Sequence, residues 1–392
     1  MPITIAALAC VPRPSPHPPS ATKMLESDWR PVTQFLDSAV AAGAAPGAVL
    51  GVSVAGNRFI HTTGRLDPGD STKTRPVTVY DLASLTKVVG LASAAMLAVE
   101  DGRIALDAPV QRYLPAFAGP GKESVTVRML LAHTGGLPGW RPLFREGSTR
   151  AEAFALAEST PLDSMPGRST VYSDLGAIVL THLIESVYQQ RLDSLLGPRV
   201  FQPLGMTSVR YNPPATERAR IAPTEFDPWR ERLLQGEVHD ENAALMDGVS
   251  GHAGLFGNAP DLLTFAEWML AACNEGTQER GTASRTGASA VPPCHRSLVV
   301  EFTRRQDLVR GSSRALGWDT PSPGSSAGRL LSPRSFGHTG FTGTSLWIDP
   351  DRKLAIVLLS NRVNPTRDNP RWAPVRARVA DLVITTLFED AR

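Results

Sequence analysis

Apolar residues recur along the chain with two periods, and the changes of period divide it. Val32, Phe35, Leu36 and Val40 fall on one face of a helix over 28–43. Asp28 stands where it can cap that helix, Pro31 falls in the first turn, and Gly43 and Pro46 end it. Residues 47–55 (GAVLGVSVA) and 58–62 read as two strands around Gly56-Asn57, a hairpin signal. A long apolar helix is predicted from Ser84 to Asp101-Gly102. From there to about 245, helical segments at 126–133, 150–158 and 173–189 are joined by loops bearing Pro and Gly. A further apolar helix covers 260–272, behind Asn258-Ala259. Period two returns in Thr344–Ile348 and Leu354–Ser360, on either side of a turn at Asp349-Pro350-Asp351-Arg352, and a last helix covers 371–388.

Strands at both ends with helices between them predict a mixed α/β (α+β) fold. It is an antiparallel sheet flanked by helices, built from both chain ends, with an all-helical insertion. The boundaries are an amino-terminal segment 1–22, a discontinuous α/β domain of 23–100 and 246–392, and a helical domain 101–245. At ~150 residues per domain, 392 residues allow two or three such units.

Charge and composition narrow the partners. Forty basic residues against 38 acidic ones give +2, with none of the basic excess of nucleic-acid binders. A hydrophobic fraction of 42% suffices for a large core, and no window is expected to reach the ~18–20 apolar residues of a membrane span. The 33 prolines exceed the ordinary share of about 5%. Three cysteines make no disulfide scaffold and no zinc spacing. Cys10 follows a short apolar run, and Ala7-Leu8-Ala9-Cys10 is a loose lipobox ahead of a Pro-rich stretch, 11–20. Read as the end of a lipoprotein signal, it makes lipidated Cys10 a membrane tether and puts the protein in the periplasm or cell envelope. Read as a frayed tail, it leaves the protein cytoplasmic. Cys273 and Cys294 bracket a polar loop at 274–297 and are candidates to pair in an oxidising compartment. Oligomeric state is not legible.

Three short motifs carry chemistry. Ser84-Leu85-Thr86-Lys87 puts an ammonium and a hydroxyl on one helix face, i and i+3. Desolvation of such a lysine favours its neutral form, and the helix start offers N–H groups to an oxyanion. Tyr172-Ser173-Asp174 opens a helix, and a tyrosine near cations is expected to ionise below its usual ~10 and serve as a base. His338-Thr339-Gly340 precedes a strand, with the N–H of Phe341 as a further donor. Each alone also fits an ordinary helix start or turn.

Together, and in this order, they resemble the serine β-lactamase and penicillin-binding protein superfamily. The resemblance is specifically to the class C β-lactamase-like branch, which also holds D-alanyl-D-alanine peptidases and family VIII carboxylesterases. The marks of that branch are S-x-x-K, Y-x-N and K/H/W-x-G. Here 88 residues separate Ser84 from Tyr172, and 166 separate Tyr172 from His338. Leu130–Thr134, Gly251–Phe256 and Asn361-Arg362 also resemble its flanks. The resemblance implies that Ser84 is the acylated nucleophile, that Lys87 assists it and that Tyr172 shuttles the proton. It further implies an oxyanion hole of the Ser84 and Phe341 N–H groups, with Asp174, His338, Thr339 and Gly340 facing the substrate. The expected reaction is hydrolysis of a D-amino-acid peptide or β-lactam-like amide through an acyl-enzyme. A carboxylesterase and a penicillin-binding sensor that stays acylated are the alternatives. No cofactor or metal is implied.

Two positions depart from the pattern. Asp174 replaces the usual Asn, and an ionised Asp only accepts hydrogen bonds; it can hold Lys87 charged or repel a substrate carboxylate. His338 replaces the Lys of true class C enzymes and provides no fixed cation. Other motifs read as structure. A second His-Thr-Gly, His133–Gly135, is a turn, and Gly248–His252 lacks the last glycine of a nucleophile elbow. The glycines at 251, 254 and 257 form a tight turn, and His239-Asp240-Glu241-Asn242 is a polar loop at the pocket rim. Arg367 and Asn369 are candidates for a substrate carboxylate.

Overall fold

The computed structural model describes residue 24, residues 27–274 and residues 295–388. The expected signal segment with Cys10, and Cys294 with most of its loop, lie outside the described residues.

Strands β1 (Gly47–Val54) and β2 (Asn57–Gly64) form the expected hairpin. The other main strands are β8 (Phe336–Thr339), β9 (Ser345–Asp349) and β10 (Leu354–Ser360). The sheet runs β2-β1-β10-β9-β8, and every neighbouring pair is antiparallel, so the two chain ends meet where β1 pairs with β10. Alternate residues of these strands face opposite sides. Ala48, Leu50, Val52 and Val54 pack with Val32 and Leu36 of α1 (Arg30–Ala41) and with Val379 and Val383 of the carboxy-terminal helix. Val49, Val357 and Leu359 pack on the other side with Leu262, Leu263 and Ala266. Each fully buried Val or Leu contributes about 1.5–3 kcal/mol. Gly51 matters here, because a Cβ would stand 3.1 Å from Leu263 Cδ1.

The other expected helices are present with small shifts: Val127–Leu131, Arg150–Ser159, α3 (Asp174–Tyr188), α5 (Ala259–Asn274) and α6 (Ala373–Leu387). Side-chain oxygens of Thr126, Thr149 and Ser173 cap the first three. Asp28 accepts the Arg30 N–H at the start of α1 and also pairs with the Arg30 side chain. Three expectations need correction. The apolar run after Ser84 is not one α-helix: a 3-10 turn at Ala83–Leu85 and a wide π turn at Lys87–Ala92 precede α2 (Ser93–Glu100). That run, Ala83–Glu100, does reach the length and hydropathy of a membrane span, but most of it is buried inside this fold. The glycine-rich stretch at 251–257 is more than a turn, since β7 (Leu255–Gly257) lies between β3 (Tyr80–Asp81) and β4 (Arg210–Tyr211) in a second small sheet. The middle of the chain is otherwise helical, with a two-residue hairpin of β5 (Phe226–Asp227) and β6 (Arg232–Leu233).

Asn361, just past β10, ties the two ends to the middle: its buried Nδ2 donates to the carbonyls of Leu66 (2.7 Å) and Pro223 (2.8 Å). Removing it leaves two buried carbonyls unpaired, each at about 1–3 kcal/mol. Asn361→Ala is therefore expected to lose about 2–4 kcal/mol of stability, measured by urea unfolding.

Candidate active site

Ser84 sits on a turn whose conformation is imposed from outside. Ala83 before it has φ of +46°, uncommon for a residue with a side chain. Asp81 holds it there: its Oδ1 accepts the Ala83 N–H at 2.8 Å and its Oδ2 accepts the His239 N–H at 2.6 Å. The loop after β8 is stitched to the same turn. Thr342 Oγ1 donates to the Asp81 carbonyl (2.7 Å) and Thr344 Oγ1 to that of Leu82 (2.9 Å). Gly340 is required at this approach, since a Cβ would lie 2.1 Å from Thr344 Oγ1 and 2.5 Å from the Leu82 carbonyl. Ser84 and Phe341 thus line one cavity of about 930 Å³ with Tyr172, Asp174, His338, Thr339 and Gly340. The Phe341 N–H donates to no protein acceptor among the described residues.

Lys87 is buried, and its Nζ meets Ser84 Oγ (3.0 Å), the His252 carbonyl (3.0 Å) and Asp174 Oδ1 (2.7 Å). Burial works against the charge, but the Asp174 carboxylate foremost opposes it and the lysine pKa is raised. The low-titrating lysine expected from desolvation alone is therefore not found, and the Asp174 pairing is the reason. Tyr172 also departs from expectation. Burial pushes its phenol up, and the adjacent Lys87, 4.8 Å from the ring centre, pulls it down without cancelling that rise. The phenol oxygen is buried beside Lys87 and Ser84 without a well-aligned hydrogen bond. The resting site is a charged lysine beside a neutral tyrosine.

His338 is buried, and its Nδ1 bonds the Thr339 carbonyl at 2.7 Å, which leaves Nε2 as the acceptor. Burial, Arg314 and Lys87 hold its pKa well below the usual histidine value. Arg314 faces it, Nη1 3.5 Å from Nε2, with the guanidinium 5.1 Å from the Tyr172 ring centre. This cation escaped sequence reasoning, because it lies in an irregular loop 24 residues before His338 and belongs to no motif. A backbone bridge from Asp319 to Gly337 of β8 holds that loop against the sheet edge. Arg362 and Arg376 also line the cavity, and with Arg314 they form no ion pair among the described residues. Arg376 donates to the Gly340 carbonyl (2.6 Å), and burial and Arg362 bring its pKa down to about 10.

The remaining candidates divide. Arg367 lines the cavity but is engaged by Glu225 and Glu241. Asn369 does not line it: Oδ1 accepts the Arg371 N–H and Nδ2 bonds the Gly43 and Ala44 carbonyls. His133 of the second His-Thr-Gly is buried, accepts the Ser173 N–H on Nδ1 (3.1 Å) and packs 4.7 Å from the Tyr172 ring. It supports the tyrosine from behind. His239 bonds Glu225 and stacks on Phe341, and Asn242 bonds the backbone of Phe144 and Arg141. Trp140 and Phe341, half exposed, rim the mouth.

A lysine ammonium 3.0 Å from a serine hydroxyl, with a tyrosine phenol beside both, is an arrangement that suits nucleophilic catalysis by serine. Comparison with known proteins agrees. Residues 32–381 match the Beta-lactamase family, and the chain belongs to it. A protein of Escherichia coli (strain K12) named "Putative D-alanyl-D-alanine carboxypeptidase" is 32% identical over 344 residues, 79% of this chain and 75% of that one. Among solved structures, a penicillin-binding protein homologue from Caulobacter crescentus superposes with a TM-score of 0.70 at 21% identity, covering 91% of this chain and 96% of the other. A class C β-lactamase from Rhodobacter sphaeroides gives 0.68 at 23%, covering 91% and 99%. The expected fold and hydrolase class are thereby established.

The charge of Asp174 raises the pKa of both Lys87 and Tyr172. To act as a base toward Ser84, the pair must first lose one proton, and it titrates as a unit. Asp174→Asn is expected to lower that shared pKa and move the rising limb of kcat/KM to lower pH, read from a pH profile on a neutral ester.

Proposed function

We propose that this serine hydrolase cleaves an amide whose leaving group ends in a carboxylate, a D-amino-acid peptide foremost, through an acyl-enzyme on Ser84. The observation that carries the reading is Lys87 Nζ at 3.0 Å from Ser84 Oγ, with Tyr172 beside them and the unpaired Arg314 guanidinium across the cavity. In the deprotonated cluster, Tyr172 takes the Ser84 proton as Oγ attacks the carbonyl carbon. The oxyanion forms against the N–H groups of Ser84 and Phe341. The same proton then goes to the leaving nitrogen as the C–N bond breaks, and water repeats the sequence on the ester to free Ser84. Arg314 binds the leaving-group carboxylate where His338, held neutral, supplies no charge. The name of the E. coli relative supports a D-alanyl-D-alanine end. Peptide stems of that kind lie outside the cytoplasm, so the cell envelope is the compartment this reading favours.

The same reading keeps the division proposed from the sequence, with Ser84 and His338 from the segments 23–100 and 246–392, and Tyr172 from 101–245.

Two outcomes test it. Ser84→Ala is expected to lose about a thousandfold or more of turnover on a D-Ala-D-Ala peptide, a nitrophenyl ester and a chromogenic cephalosporin. Wild-type turnover in that variant would remove Ser84 from the mechanism. Stable labelling by a fluorescent penicillin without turnover of any substrate would favour the sensor, and ester turnover alone the esterase. Arg314→Gln is expected to lower kcat/KM for the D-peptide relative to the neutral ester by roughly ten- to a hundredfold, the worth of a hydrogen bond to a charged group.

A further inference from the structure

Two motifs that the proposed reaction leaves unused meet beside Lys87. Ser250 Oγ lies 2.7 Å from His252 Nδ1, and His252 Nε2 lies 2.8 Å from Asp240 Oδ1. This is a Ser-His-Asp chain, 12 residues of sequence separating its carboxylate from its imidazole. It is not a second hydrolytic centre, because Ser250 is fully buried and does not line the cavity. Its other contacts show what it holds. Asp240 Oδ1 also accepts the Ala243 N–H at 2.8 Å, capping the helix α4 (Glu241–Leu245). The Ser250 carbonyl accepts from Tyr211 Oη (3.1 Å), and the Gly251 N–H donates to Thr181 Oγ1 of α3 (2.8 Å). The backbone pinned in this way presents the His252 carbonyl to Lys87 Nζ.

An ammonium has three N–H bonds and no lone pair. Three oxygens surround Lys87 Nζ: Ser84 Oγ, then Asp174 Oδ1 as an ion pair without a well-aligned hydrogen bond, and the His252 carbonyl. The first two belong to the reaction, and the third is the one fixed point among them. We infer that Asp240, His252 and Ser250 act as one positioning unit that holds the His252 carbonyl against Lys87 and so aims its ammonium at Ser84. A serine hydroxyl at Nδ1 suits this role, because it donates to a neutral imidazole and accepts from a charged one. Asp240, a quarter exposed in the cavity wall, also faces Lys87 electrostatically. The other titratable groups around Lys87 are Asp174, Tyr172, His133 and His338.

The inference rests on Lys87 serving Ser84, and its test separates the two claims. Asp240→Asn keeps the helix cap, since Asn caps as well as Asp. Ser250→Ala removes only the hydroxyl. Each is expected to slow acylation by a nitrophenyl ester roughly ten- to a hundredfold, the scale of a small misplacement. The change should fall on kcat rather than KM. In the double variant the loss should be no greater than in the worse single one, the signature of a coupled chain. With five lysines in the sequence, the Lys87 Cε resonance is accessible to NMR, and both variants are expected to shift it and its titration. Wild-type acylation rates with an unmoved Lys87 resonance would overturn the inference, as would losses that multiply in the double variant. Full turnover by Ser84→Ala would sink the nucleophile assignment instead, and the Lys87 resonance would still decide the positioning unit.

Discussion

The buried ammonium of Lys87 is the constraint around which the site is arranged. A charge taken from water costs several kcal/mol unless its surroundings compensate it. Compensation comes from three places in the chain: Ser84 one turn earlier, Asp174 at the start of α3, and the His252 carbonyl in the loop before β7. Those contacts span 168 residues of sequence. The segments must therefore converge for the lysine to be charged, and stability and chemistry at this point have one cause. The Asp174 departure sharpens the effect. A neutral Asn would satisfy a donor, but a carboxylate also supplies the charge that overrides desolvation.

Much of this was legible beforehand, for reasons that can be named. The strand Leu354–Ser360 was found, although the alternation expected of it is absent: a sheet covered by helices on both faces buries all seven of its residues. The three motifs were visible because candidate groups within one turn or one strand end keep a fixed spacing. Two kinds of feature were not legible. The first is backbone detail without a periodic signal: the π turn at Lys87–Ala92 and the three-residue strand Leu255–Gly257. The second is any group that reaches the site across the fold. Arg314 is an arginine in an irregular loop, and contacts across the fold, among them the bridge through Asp319 to Gly337, bring it to His338. The protonation states failed at the same step. Lowered pKa values were inferred for Lys87 and Tyr172 from one influence each, burial for the first and nearby cations for the second. In the folded site, both influences act on both groups, and their balance is set by Asp174.

The weak net charge of the chain conceals a strongly divided cavity. Asp174, Asp240 and Glu241 are taken by Lys87, His252 and Arg367, and the lining Asp319 by Ser313 Oγ and the Thr320 N–H, while among the described residues Arg314, Arg362 and Arg376 form no ion pair. Arginine stays charged under almost any surroundings, and even Arg376, brought down by burial to about 10, is a cation at neutral pH. The positive character of the site therefore resides in groups that do not titrate near neutrality, and the histidine at its edge strand is free to be neutral. That exchange makes a neutral His at position 338 compatible with the anionic leaving group of the proposed substrate. In the proposed reaction, His338 serves as a hydrogen-bonding wall, and the charge comes from Arg314 across the cavity. In the proposed reaction, recognition and proton transfer therefore fall to different side chains, and pH acts on the second without disturbing the first.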